Sequence, residues 1–82
     1  MSIITCGIDV HYAQSNFYFI NETTKEEFYR VVPTARLPIS KMIEEFREYR
    51  IQYAFERGTM PRFLYGILSN HPNTGKILVV LR

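Results

Sequence analysis

Two acids stand apart from the rest of the chain by their surroundings. Asp9 is the only aspartate, and it lies near the carboxyl end of the apolar run Ile3-Ile4-Thr5-Cys6-Gly7-Ile8-Asp9-Val10-His11. Glu56 ends a second such run, Ile51-Gln52-Tyr53-Ala54-Phe55-Glu56. The other glutamates (Glu22, Glu26, Glu27, Glu44, Glu45 and Glu48) fall in polar clusters where solvation accounts for them. A carboxylate carried by an apolar strand is costly unless it pairs, accepts hydrogen bonds or binds a cation. Asp9 and Glu56 are therefore expected to be partners. Two close carboxylates repel unless a cation or proton lies between them, and hard oxygen donors suit Mg²⁺ or Mn²⁺. Two such ions about 4 Å apart can clamp the attacking and leaving oxygens of a phosphodiester displacement. A lone pair of acids holds one ion weakly, as metal and catalytic ligands alike.

Several neighbours bear on that site. His11, Arg57 and Arg62 are the candidates for contacting phosphate; each also has a plainer reading, His11 as a strand-end polar residue and the arginines as ion-pair partners of Asp9 or Glu56. Gly7 either lets a ligand or backbone approach or marks a bulge. Cys6 reads as a small core residue, since a reactive thiol needs an exposed electropositive setting. His71 lies in a turn and carries no chemistry. The aromatic run Phe17-Tyr18-Phe19 reads as core on one face and sheet surface on the other, not as a base-stacking platform.

The elements that position these residues follow from periodicity. Ile3 to Val10 is apolar almost without alternation, which predicts a central strand buried on both faces. After the short break at His11-Tyr12-Ala13-Gln14, Ser15 to Asn21 is a second strand and Glu26 to Val32 a third, closed by Pro33, with a hairpin loop between them. Pro38 suits the first turn of a helix, in which Ile39, Met42, Ile43 and Phe46 recur at helical spacing and Lys41, Glu44, Glu45, Arg47 and Glu48 face away. Ile51 to Phe55 is the fourth strand. Thr59 is placed to cap a second helix with Pro61 in its first turn and Met60, Phe63, Leu64, Ile67 and Leu68 on one face. The breaker-rich Ser69-Asn70-His71-Pro72-Asn73 ends it, and Lys76 to Leu81 is a fifth strand. The order β-β-β-α-β-α-β predicts a mixed α/β sheet with strand order 3-2-1-4-5, in which Asp9 and Glu56 end adjacent parallel strands about 5 Å apart. Ligand sites in such sheets favour that end.

At Gly7-Ile8-Asp9-Val10-His11, followed by a strand and then by Glu56 before a Gly/Thr turn and a helix, the chain resembles the amino-terminal half of the DEDD transposases of the Piv/MooV insertion-sequence class. The likeness covers essentially all 82 residues, including Pro33-Thr34, the helix with Ile43 and Phe46, the helix with Tyr65 and Leu68, and Ile77-Leu78-Val79-Val80. It implies an RNase H-like, RuvC-like fold, with Asp9 as the first D and Glu56 as the E of a metal-binding tetrad. It also implies DNA as substrate, cleaved and transferred with Mg²⁺ or Mn²⁺, a guide RNA as a further partner, and a cytoplasmic setting. Arg57 departs from the small hydroxyl residue usual after the glutamate. The family's two remaining aspartates come after the fifth strand, so the resemblance makes this chain a domain fragment, a truncated reading frame or a degenerate relative, which alone does not cut or join DNA.

Composition sets the outer bounds. Eighty-two residues make one small domain, 1–82, and 46% hydrophobic content with six Phe and six Tyr predicts a packed globule. A single cysteine forms no intrachain disulfide, which fits a reducing cytoplasm. No apolar run approaches the ~20 residues of a spanning helix. A net charge of +2 does not by itself announce nucleic acid. Two other readings stay open: an RNase H-like scaffold that binds or assembles without chemistry, and an actin-like sugar kinase or ATPase, whose first phosphate loop usually continues with Gly and Ser/Thr where this chain has His11-Tyr12-Ala13. The apolar fifth strand predicts a bare edge and self-association as a dimer that covers it.

Overall fold

The computed structural model describes residues 2–58 and 60–81. Seven elements follow in the expected order: β1 (Ser2–Val10), β2 (Gln14–Asn21), β3 (Glu27–Pro33), α1 (Arg36–Glu44), β4 (Tyr49–Glu56), α2 (Pro61–Ser69) and β5 (Thr74–Val80). The strands form one mixed sheet in the order β3-β2-β1-β4-β5. β1, β2 and β3 meander antiparallel, while β4 runs parallel to both β1 and β5. The predicted strand order and directions are those observed.

Both crossovers, β3 to β4 through α1 and β4 to β5 through α2, step the same way along the sheet. A common hand then places both helices on one face. The core lies between that face and the helices. Ile4, Cys6 and Ile8 of β1, Phe17 and Phe19 of β2, and Ile51, Tyr53 and Phe55 of β4 meet Ile39, Met42, Ile43, Leu64, Ile67 and Leu68 from the helices. The molecule has two layers, and the other face of the sheet is bare.

That bare face corrects the expectation for β1. Its apolar run predicts burial on both sides, yet Ile4, Cys6 and Ile8 are buried while Ile3, Gly7 and Asp9 are exposed. The strand is central in the sheet but covered on one side only, because no helix crosses behind it.

The first helix also differs from its predicted extent. Regular helix ends at Glu44, and Glu45, Phe46 and Arg47 donate instead to carbonyls three residues back. The tighter turn swings Phe46 into the core, where its ring stacks on Phe19 at 4.2 Å and meets the edge of Phe28 at 5.6 Å. Asn73 then holds this turn from outside, its buried side-chain amide donating to the carbonyls of Phe46 and Tyr49. Ahead of α2, the expected capping residue Thr59 lies outside the described residues. The N-cap position is Met60, at a φ of 51°, with Pro61 as the first helical residue. Among the described residues no side chain caps that end, and its first turn contains no acid.

Candidate functional site

The register that pairs Ile8 with Phe55 brings Asp9 and Glu56 level, one step farther along β1 and β4. Both strands run parallel, so both acids stand at carboxyl ends. With Ile8, Val10, His11 and Gly58 they line one cleft of about 360 Å³. The sequence thus brings together the two acids it singled out. The premise of a costly carboxylate, however, needs correction: 70% of the Asp9 side chain is exposed, because it projects from the bare face of the sheet. Water, not a buried partner, satisfies most of it.

His11 is part of this site. Its Nε2 lies 3.0 Å from Asp9 Oδ2, two residues along and on the same side of the chain. The turn bearing it is tied down by a residue just past the end of β3. Thr34 donates its hydroxyl proton to the His11 carbonyl at 2.5 Å, so in the 2.6 Å contact between Ser15 Oγ and Thr34 Oγ1 the donor is Ser15. The Thr34 amide in turn bonds the Ala13 carbonyl. Ser15 is fully buried. The only sequence signal for this brace is the general affinity of Ser and Thr for turns.

Arg57 and Arg62 do not line the acidic cleft. They lie instead around a separate groove between α2 and β5, with Pro61, Tyr65, Gly66 and Val79. Neither forms a salt bridge with a carboxylate among the described residues. The two hollows share no lining residue but open near the same end of the sheet, since Glu56 and Arg57 are consecutive.

A divalent ion at the cleft would take Asp9 and Glu56 as oxygen ligands. Their exposure suits Mg²⁺, which keeps several of its waters. Among the described residues no group of three or more His, Cys, Asp or Glu side chains is gathered closely enough to hold a metal. The cleft is therefore at most a two-carboxylate site on these residues.

Cys6 is buried and apolar in setting, as its sequence context predicts, and burial pushes its thiol well above the ordinary range. Tyr53, its neighbour across β1 and β4, is likewise pushed up, first by burial and then by the nearby Cys6. Among the described residues its buried hydroxyl makes no hydrogen bond of full geometry, and the Thr74 side chain beside it offsets the shift only in part. Among the described residues no helix is long and apolar enough to cross a membrane. No family model and no curated protein matches this chain.

Proposed function

We propose that this chain is the amino-terminal part of an RNase H-like domain of the DEDD transposase type, acting on DNA in the cytoplasm, with a guide RNA as a further partner. The observation that carries the reading is the level placement of Asp9 and Glu56 at the carboxyl ends of adjacent parallel strands, facing one cleft. In the intact parent, Mg²⁺ held there would stabilise charge on the phosphodiester oxygens during strand cleavage and transfer. Two carboxylates are half of such a tetrad, so the chain alone binds metal weakly and is inactive. Titration with Mn²⁺, followed by calorimetry or by its paramagnetic effect on solvent water, tests the ancestry. Asp9→Asn abolishes binding if the reading is right; unchanged binding overturns it.

A second reading, a scaffold that works by assembly, is favoured by the bare sheet face. Tyr18, Tyr29, Val31, Leu78 and Val80 are all exposed there, and β5 is an edge strand. Patches of this kind mark interaction surfaces. The occupant we propose is a second copy of the chain, docked along the β5 edge.

A further inference from the structure

The groove between α2 and β5 has a composition unlike the acidic cleft beside it. Arg62, Tyr65 and Gly66 stand at i, i+3 and i+4 and so share one side of α2. Gly66 leaves that side open: a Cβ built there would meet nothing within 4 Å. Val79 and Pro61 complete an apolar floor, and the half-exposed ring of Tyr65 forms a wall. Among its described lining residues Arg57 and Arg62 carry the charge, both positive. At about 400 Å³ the space suits a single small ligand unit and not a helix or strand of a partner protein.

A ligand matched to this groove has one flat apolar group and one anionic group. We propose that the groove binds one nucleotide unit of single-stranded nucleic acid, its base against Tyr65 over the floor left by Gly66 and its phosphate on Arg57 and Arg62. Stacking on an aromatic ring with arginine beside it is a sequence-tolerant way to hold an unpaired base, and the guanidinium fork matches phosphate oxygens. A base paired within a duplex presents no free face to enter such a groove. The choice of nucleic acid as the partner class rests on the reading above; the location rests on the groove alone. Phosphate placed here also stays apart from Asp9 and Glu56, which would repel it in the absence of metal.

The test is fluorescence anisotropy with a labelled short oligothymidylate at low salt, in EDTA so that the acidic cleft takes no part. The wild-type chain is expected to bind the single strand and to bind a duplex of equal length at least tenfold more weakly. Tyr65→Ala should lose about tenfold in affinity. Gly66→Leu fills the groove at a position that tolerates a side chain and favours helix over glycine; it should keep the circular dichroism of the parent and melt no lower, while losing about tenfold as well. Lys41→Ala, which removes an exposed cation on α1, should leave binding unchanged. Absence of single-strand binding, equal binding of duplex, affinity indifferent to Tyr65→Ala and Gly66→Leu, or tighter binding of a phosphotyrosine peptide would each overturn the proposal. Because EDTA is present throughout, these results do not depend on the Mn²⁺ titration, so failure of the reading above and failure of this assignment are distinguishable.

Discussion

His11 Nε2 sits 3.0 Å from Asp9 Oδ2, so the one acid that the chain carries as aspartate has its partner two residues along, just past the end of its own strand. The pair is mostly solvent-exposed, at 62% for the imidazole and 70% for the carboxylate. Exposed pairs of this kind contribute about 0–1 kcal/mol. His11→Ala should therefore change the unfolding free energy by less than about 1 kcal/mol in urea titration. A loss of twice that would show that the imidazole braces the β1–β2 turn.

The brace on that turn belongs instead to Thr34. Thr34→Val keeps the shape of the side chain but removes the acceptor for Ser15 Oγ and the donor to the His11 carbonyl. Ser15 is fully buried, so its hydroxyl loses a partner that water does not readily replace. The expected cost is about 1–3 kcal/mol, read as a lower urea midpoint with an unchanged slope. A midpoint within error of the parent would refute the brace.

Tyr53 offers the opposite case. Among the described residues its buried hydroxyl has no hydrogen bond of full geometry; the nearby Thr74 hydroxyl, already donating to the Leu68 carbonyl at 2.6 Å, offers it only a weak acceptor. Tyr53→Phe removes a desolvated polar group without disturbing the ring. Stability should be unchanged or raised, by up to about 1–2 kcal/mol; a clear loss would mean that the hydroxyl is satisfied in solution.

Cys6 and Tyr53 also fix the alkaline limit of the fold. Both titrate higher when folded than when unfolded, chiefly because burial disfavours the charged form. The unfolded chain therefore releases protons first. Stability should be level below the unfolded cysteine range, near pH ~8.5, and should then fall as pH rises, by up to about 1.4 kcal/mol per pH unit for each group. Cys6→Ala should flatten the first part of that decline when melts are compared across this range.

Self-association through the β5 edge is checked by sedimentation over a range of concentrations. Leu78 is 61% and Val80 41% exposed. The parent chain should sediment as a dimer at high concentration, and Leu78→Lys with Val80→Lys should sediment as a monomer. A monodisperse monomeric parent would exclude this assembly.

The strand order, the directions of pairing and the meeting of Asp9 with Glu56 were all legible in the sequence. They follow from element order and from the handedness of crossovers, which depend little on side-chain detail. One-sided burial of β1 was not legible from its own residues. An apolar run such as Ile3 to Val10 reads alike whether one face or two is covered, and the difference lies in how both crossovers step along the sheet. The turn after Glu44 escaped for a related reason: Phe46 keeps helical spacing, but its burial is reached through a tighter turn that Asn73 stabilises from a distant loop. Arg57 and Arg62 were singled out as phosphate contacts flanking the acids, but they line a separate groove. Their separation from the acids depends on which side of the sheet each chain segment leaves, and spacing along the sequence does not encode that.

The pairing of β1 with β4 has a consequence for how the molecule forms. Ser2 lies opposite Tyr49 and Ile8 opposite Phe55, so β1 waits until β2, β3 and α1 have been made before its second neighbour arrives. The β1–β2–β3 meander can close early through local contacts, but it does so with the outer edge of β1 open. Docking of β4, after α1 has spanned the meander, is the long-range step expected to limit the folding rate. Until then the unpaired edge of β1 is the nascent chain's most exposed template for misassembly.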